Sequence, residues 1–347
     1  MKLNWKKIIS TGLVLGSIAL VLWIAFSNEE LGDAWKTLGS LDPKWVLGIF
    51  GCWFCYMFFD ALSGWIYLRS EGFRLSLGRA VNACLIGFYY SNITPSAAGG
   101  QPMQVNSLRK AGIPVGYGTM TATVRFVCNQ FAISALSMIF WVMNRDFARQ
   151  QLGDMLWIAR VGWVVMFSAV PLCVLAAFQR SLIQRIAEAV IRFGKRIHLI
   201  KNEERAVVRT TEVLDTYHTA LIELSRRPGQ ILLQLGCSCF SVMGLIGAIF
   251  FVYHAFGLSG TPWYHLITVS FLLYISACFS PLPGASGAQE GGFLLYYRGI
   301  FPPDRIGLAL LVWRFFTYYL FLIVGVFTVI AEKVILYREE KKKKETP

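Results

Sequence analysis

Six stretches of this chain, residues 8–27, 45–67, 117–143, 156–178, 231–256 and 306–331, are predominantly apolar, and each reaches the roughly 20 residues that one bilayer crossing takes. Backbone N–H and C=O groups find no water in hydrocarbon, so segments of this kind are helical and bond internally. The expectation is an all-α polytopic membrane protein with six transmembrane helices. The charge content agrees: 15% of the 347 residues are Asp, Glu, Lys or Arg, against about 25% in soluble domains. The cysteines sit almost wholly in apolar runs, where a thiol behaves as a small hydrophobe. The pair Cys52 and Cys55, in FGCWFCYMFF, lacks the polar surroundings that a metal or redox pair uses.

Two further apolar regions, 80–107 and 265–299, are interrupted, and the interruptions resemble each other. PSAAGGQP begins at Pro95 and PGASGAQE at Pro283, 188 positions on. Pro95 pairs with Pro283, Ala97 with Ala285, Gly99 with Gly287 and Gln101 with Gln289. Beyond each motif an arginine lies in an apolar run and is followed by phenylalanine, Arg125-Phe126 and Arg314-Phe315, 189 positions apart. Two anchors with nearly one offset make this a chain of two related halves, each built around a Gly/Pro-broken segment, an arrangement that marks translocation sites in transporters. Each interrupted region is a re-entrant hairpin or a pair of short helices, and either adds an even number of crossings.

Basic residues accumulate on the cytoplasmic side. Lys2, Lys6 and Lys7 place the N-terminus there, Arg69, Arg74 and Arg79 return the chain, and Lys333, Arg338 and the run Lys341 to Lys344 hold the C-terminus there. The loop with Glu29, Glu30, Asp33 and Asp42 is external. On this reading the first broken segment dips in from the cytoplasm and the second from outside, so the halves form inverted-topology repeats. The first membrane half is 1–178, a basic linker is 179–228, the second half is 229–332 and a basic tail is 333–347. The linker carries ten Lys or Arg and six Asp or Glu, with apolar residues such as Ile183, Ile186 and Val190 at helical spacing. It is a simple connector or an interfacial helix lying on an anionic leaflet. Residues 8–27 exceed the core of a cleavable signal and read as a retained helix.

Ionisable groups inside apolar spans need a partner or a wet cavity. Asp60, Arg125, Glu290 and Arg314 are such groups. Two acids and two arginines can neutralise one another. The duplicated arginine also fits a cavity that handles an anionic head group, since a guanidinium offers phosphate paired hydrogen bonds. The motifs supply the rest of a polar site. Pro95 and Pro283 stop the preceding helices, Gly99, Gly100, Gly284 and Gly287 permit close backbone approach, and Gln101, Gln289, Asn92 and Thr94 offer side-chain hydrogen bonds. No HExxH, P-loop or GxSxG pattern is present, and no cofactor, metal or nucleic-acid partner is expected.

The residues NITPSAAGGQP, PLPGASGAQEGGF and the later WRF resemble the lysylphosphatidylglycerol synthase transmembrane-region family, also called flippase-like domain proteins. In the bifunctional bacterial multiple peptide resistance factor, such a region moves aminoacylated phosphatidylglycerol between leaflets while a separate soluble domain makes the lipid. The resemblance implies a stand-alone flippase-like protein of a prokaryotic cytoplasmic membrane. Its partners would be a lipid with an anionic or phosphate-bearing head group, aminoacylated or polyprenyl-linked, and a separate lipid-synthesising enzyme, with a homo-oligomer open. Arg125 and Arg314 would meet phosphate, Glu290 and Asp60 would balance them, and the two broken loops would gate. The competing classes are an intramembrane lipid-modifying transferase with Glu290 as base, and a non-transporting scaffold.

Overall fold

The computed structural model describes residues 36–178, 185 and 226–345; the expected helix over 8–27 and nearly all of the linker lie outside them. The described residues are helical throughout, apart from turns and one isolated bridge between Arg298 and Phe301. The long apolar runs are helices close to their expected bounds: α1 Pro43–Ser70, α4 Val115–Met143, α6 Leu156–Phe178 and α7 Pro228–Ala255. The two interrupted regions are each a pair of shorter helices around a 3-10 turn. The first pair is α2 Leu77–Ile93 and α3 Gly100–Lys110, with the turn Pro95–Ala97. The second is α8 Trp263–Ala277 and α9 Ala288–Tyr296, with the turn Pro283–Ala285. A short α5 Arg145–Leu152 follows α4. The chain ends in α10 Ile306–Arg314, a π-helical turn Phe315–Tyr319 and α11 Leu320–Glu345. Four described helical stretches, α1, α4, α7 and Ile306–Ile335, are long and apolar enough to cross a membrane, whereas α3, at 11 residues, and α9, at 9, fall short of the roughly 20 that spanning takes.

Local chemistry sets these bounds. Asp42 caps α1, its carboxylate accepting from Lys44 N at 3.0 Å beside Pro43 in the first turn. The helix stops where Gly72 takes φ +84° and Phe73 N–H returns to Leu68 O. Proline ends α2, because Thr94, the residue before Pro95, is driven to extended backbone, φ −114° and ψ 143°.

The packing repeats with the sequence. α1 and α7, at equivalent places in the sequence repeat, form the most extensive contact among the described helices and run antiparallel. Gln234 Nε2 near the start of α7 donates to Ser63 O near the end of α1 at 2.9 Å. Midway, Ser241 Oγ donates to Tyr56 O at 3.0 Å. At the other end the rings of Trp45 and His254 stack, 4.7 Å between centroids. Gly244 permits the close crossing: a Cβ there would lie 2.7 Å from Tyr56 N and 2.8 Å from Cys52 O. Outside this central pair α2 packs on α11, and its counterpart α8 packs on α4. Exchanging the halves maps these contacts onto one another, as for surfaces related by a pseudo-two-fold.

Candidate functional site

The two broken segments meet tip to tip. Ser96 N–H in the first turn donates to Pro281 O, two residues before the second turn, at 3.1 Å. Tyr318 Oη, on the π-helical turn, donates to Asn92 O at 3.1 Å. The backbone repeats as closely as the sequence. After each proline the chain takes two consecutive left-handed residues, Ser96 (φ 51°) and Ala97 (φ 55°) in the first tip, Gly284 (φ 60°) and Ala285 (φ 51°) in the second. Three of these four positions have a side chain, at roughly 1–2 kcal/mol of backbone strain each. Strain of this kind persists only where the surroundings over-determine it, and it concentrates at ligand clamps and switches.

The four intramembrane ionisable residues form two separate pairs, one per half. Arg125 of α4 bonds Asp60 of α1 through Nη1 and Oδ2. Cys84 of α2 joins them, its Sγ donating to Asp60 Oδ2 at 3.0 Å with Arg125 Nη1 at 3.7 Å. In the second half Arg314 Nε donates to Glu290 Oε1 at 2.7 Å, and Arg314 Nη2 donates to Gly284 O at 3.0 Å. Glu290 Oε2 accepts from Gly287 N at 2.6 Å, satisfying the N-cap amide at the start of α9. Arg314 is 3% and Glu290 0% exposed, so this arginine fastens the second tip and the helix behind it to α10. The pairing differs because the residue equivalent to Glu290 in the first motif is Pro102; the acid comes from α1 instead.

The remaining expected residues divide into tip elements and outliers. Thr94 is a local staple, its Oγ1 donating to Tyr90 O at 2.6 Å and accepting from Gly99 N at 2.9 Å. Asn92 contributes its carbonyl. Gly100 is buried where α2 and α3 meet, and a Cβ there would collide with Ser91 Oγ. Pro283 is buried and Pro95 exposed. Gln289 is 8% exposed with Oε1 unpartnered, whereas Gln101 lies on the exposed face of α3. The structure adds Cys84 and Tyr318, which sequence reasoning did not single out. Tyr318 is 1% exposed, its ring lies 4.9 Å from the Arg314 guanidinium, and it occupies the space that a Cβ on Gly284 would need. It thereby joins the second arginine to the first tip. The one available signal was its place three residues beyond the duplicated Arg-Phe. The π turn that presents it is a distortion frequent at functional sites.

The site is therefore two strained helix-breaking tips in contact, each backed by an arginine neutralised within its own half. Known proteins resemble this chain over most of its length. A UPF0104 membrane protein of Archaeoglobus fulgidus is 21% identical over 322 residues, covering 91% of this chain and 94% of its own length. Another UPF0104 membrane protein, from Methanothermobacter thermautotrophicus, is 24% identical over 322 residues, covering 90% and 92%. The profile described as "Lysylphosphatidylglycerol synthase TM region" matches residues 8–325, both motifs and both arginines included, and the chain belongs to that family.

Proposed function

We propose that this protein moves a phosphate-bearing lipid across a prokaryotic cytoplasmic membrane, its two halves rocking around the joint where the broken tips meet. The observation that carries this reading is the contact of Ser96, in the first copy of the motif, with Pro281, which leads into the second. The touching residues Ser96 and Pro281 are exposed, so the broken segments leave polar backbone where a head group could pass, and in a membrane protein such backbone is tolerated at depth only when buried in protein or lining water. The antiparallel packing of α1 on α7 supports an inverted repeat, and with it alternating access. The family, named for the membrane region of a lipid synthase, supports a lipid as the cargo.

The arginines supply the selectivity in this proposal. A carboxylate and a phosphate both present paired acceptor oxygens to a guanidinium. A head group arriving at the joint exchanges with Glu290 or Asp60, and the site never leaves a charge uncompensated in low dielectric. The orientation proposed puts Lys110, Arg227 and the C-terminal basic run on the cytoplasmic side, together with both termini. The test is movement of a fluorescent anionic phospholipid in reconstituted vesicles, read by quenching from one side. Arg125→Gln and Arg314→Gln should each reduce the rate at least tenfold in protein that still elutes as a single folded species. Undiminished movement in both would sink the assignment.

A further inference from the structure

The two hairpins are also fastened at their far ends, each to the other half, by unlike chemistry. At the end of α3, Ser107 Oγ donates to Glu332 Oε1 of α11 at 2.5 Å, and Lys110 Nζ lies 2.6 Å from Glu332 Oε2. At the end of α9, Gln151 Nε2 of α5 donates to the carbonyls of Tyr296, 3.1 Å, and Arg298, 2.7 Å. Lys110 and Tyr296 close equivalent helices, so these are corresponding joints.

They lie at opposite ends of the molecule. Leu108 packs in one cluster with Tyr67 and Leu68 at the end of α1. Tyr297 packs on Phe301, which touches Tyr253 at the end of the antiparallel α7.

The two joints differ in redundancy. Around Gln151, further contacts between the halves hold the same end: Asn144 Nδ2 donates to Thr268 Oγ1 at 3.0 Å, and the rings of Phe147 and His265 stack at 3.7 Å. At the α3 end a single carboxylate holds both Ser107 and Lys110, so losing that one group breaks both bonds. It is also partly exposed, Lys110 at 32% and Glu332 at 13%, where water can replace either partner.

We infer that Glu332 is a latch: it holds the α3 end of the first hairpin against α11, and its release opens the joint between the tips toward the end of the molecule that carries Lys110. Opening at the Gln151 end is the harder step, because several neutral bonds and a stacked ring pair must part together. The direction of opening rests on the transport reading of the tips, but the latch itself is measurable without transport.

Gln104, one turn deeper in α3 than Ser107 and 4% exposed, is the reporter position. A Gln104→Cys chain in lipid nanodiscs is labelled with a charged maleimide, and the chain without the reporter sets the background. Glu332→Ala should raise the labelling rate about tenfold, the factor that losing one charge-assisted hydrogen bond corresponds to. Glu332→Gln, which keeps an acceptor for Ser107, should give a smaller rise. The exchange Lys110→Glu with Glu332→Lys should restore the slow rate, and Gln151→Ala at the other end should leave it within twofold.

Labelling unchanged by Glu332→Ala, or raised as much by Gln151→Ala, would overturn the latch. If Glu332→Ala does not elute as a folded species, the Gln variant and the exchange carry the comparison. Should labelling respond as expected while the parent protein moves no lipid, the latch stands and the transport reading falls.

Discussion

Removing either partner of the Arg314–Glu290 pair should destabilise the protein far more than removing both. Arg314 holds Glu290 Oε1 through Nε at 2.7 Å and Nη2 at 2.6 Å, and no water reaches either side chain, the two being 4% and 0% exposed as side chains. Breaking a buried ion pair from one side costs roughly 3–5 kcal/mol, because the remaining charge stays uncompensated in low dielectric. Arg314→Gln leaves Glu290 with the Gly287 N–H alone, and should cost about 3 kcal/mol, more than a hundredfold in the folding equilibrium. Glu290→Gln leaves a guanidinium with only Gly284 O and the face of Tyr318, and belongs at the upper end of that range. Arg314→Met with Glu290→Leu removes both charges at similar volume and should fall within about 1 kcal/mol of the parent. The Gly287 N–H freed by that double change sits on an exposed residue and finds water. Lys110→Ala is the control, since a part-exposed pair contributes only about 0–1 kcal/mol. The assay is unfolding of purified protein in detergent, followed by tryptophan fluorescence and closed as a double-mutant cycle. Additive single changes, or singles within about 0.5 kcal/mol of the parent, would refute the argument. The double variant should also move no lipid, which separates the pair's structural part from its proposed contact with a head group.

Four further outcomes follow from the tips and the central crossing. Gly284→Ala places a Cβ in the Tyr318 ring at φ +60° and should lower thermal stability by at least about 1–2 kcal/mol from backbone strain alone; the converse change, Ser96→Gly at φ 51°, should raise it by about 0.5–1 kcal/mol in the same melting assay. Gly244→Ala sets a methyl against backbone atoms of Tyr56 and Cys52 and should cost about 1–3 kcal/mol, seen as a lower melting point and faster thiol labelling of Cys52. Tyr318→Phe loses only the hydroxyl that reaches Asn92 O, so stability should fall by about 0.5–1.5 kcal/mol while lipid movement in vesicles changes severalfold; an unchanged rate would remove Tyr318 from the joint.

How far the sequence carries depends on which force places the residue. Long apolar runs settle helices almost to the residue, as 45–67 against Pro43–Ser70 shows, because the bilayer leaves the backbone no other solution. Proline and the small residues locate both tips, and the repeat says they are equivalent. Rotation is the information that an apolar helix lacks. In a helix hydrophobic all round, periodicity does not say which face meets which neighbour, so Asp60, Arg125, Glu290 and Arg314 are recognisable as unusual, yet their partners are not. The duplication even misleads here: equivalent arginines suggest equivalent acids, whereas Glu290 comes from the second motif and Asp60 from α1, because Pro102 occupies the place of the acid. Tyr318 is hidden for the same reason, as one aromatic among FFTYY, until the π turn aims it at Arg314 and the first tip. Symmetry in the backbone combined with asymmetry in the chemistry is itself informative about mechanism. Two halves that exchange contacts supply two related end states. A carboxylate latch at one end and a cluster of neutral bonds and stacked rings at the other keep those states from being equal in energy. On the proposed transport reading, release of cargo on one side needs that inequality, and Glu332 and Gln151 would set it more than the tips.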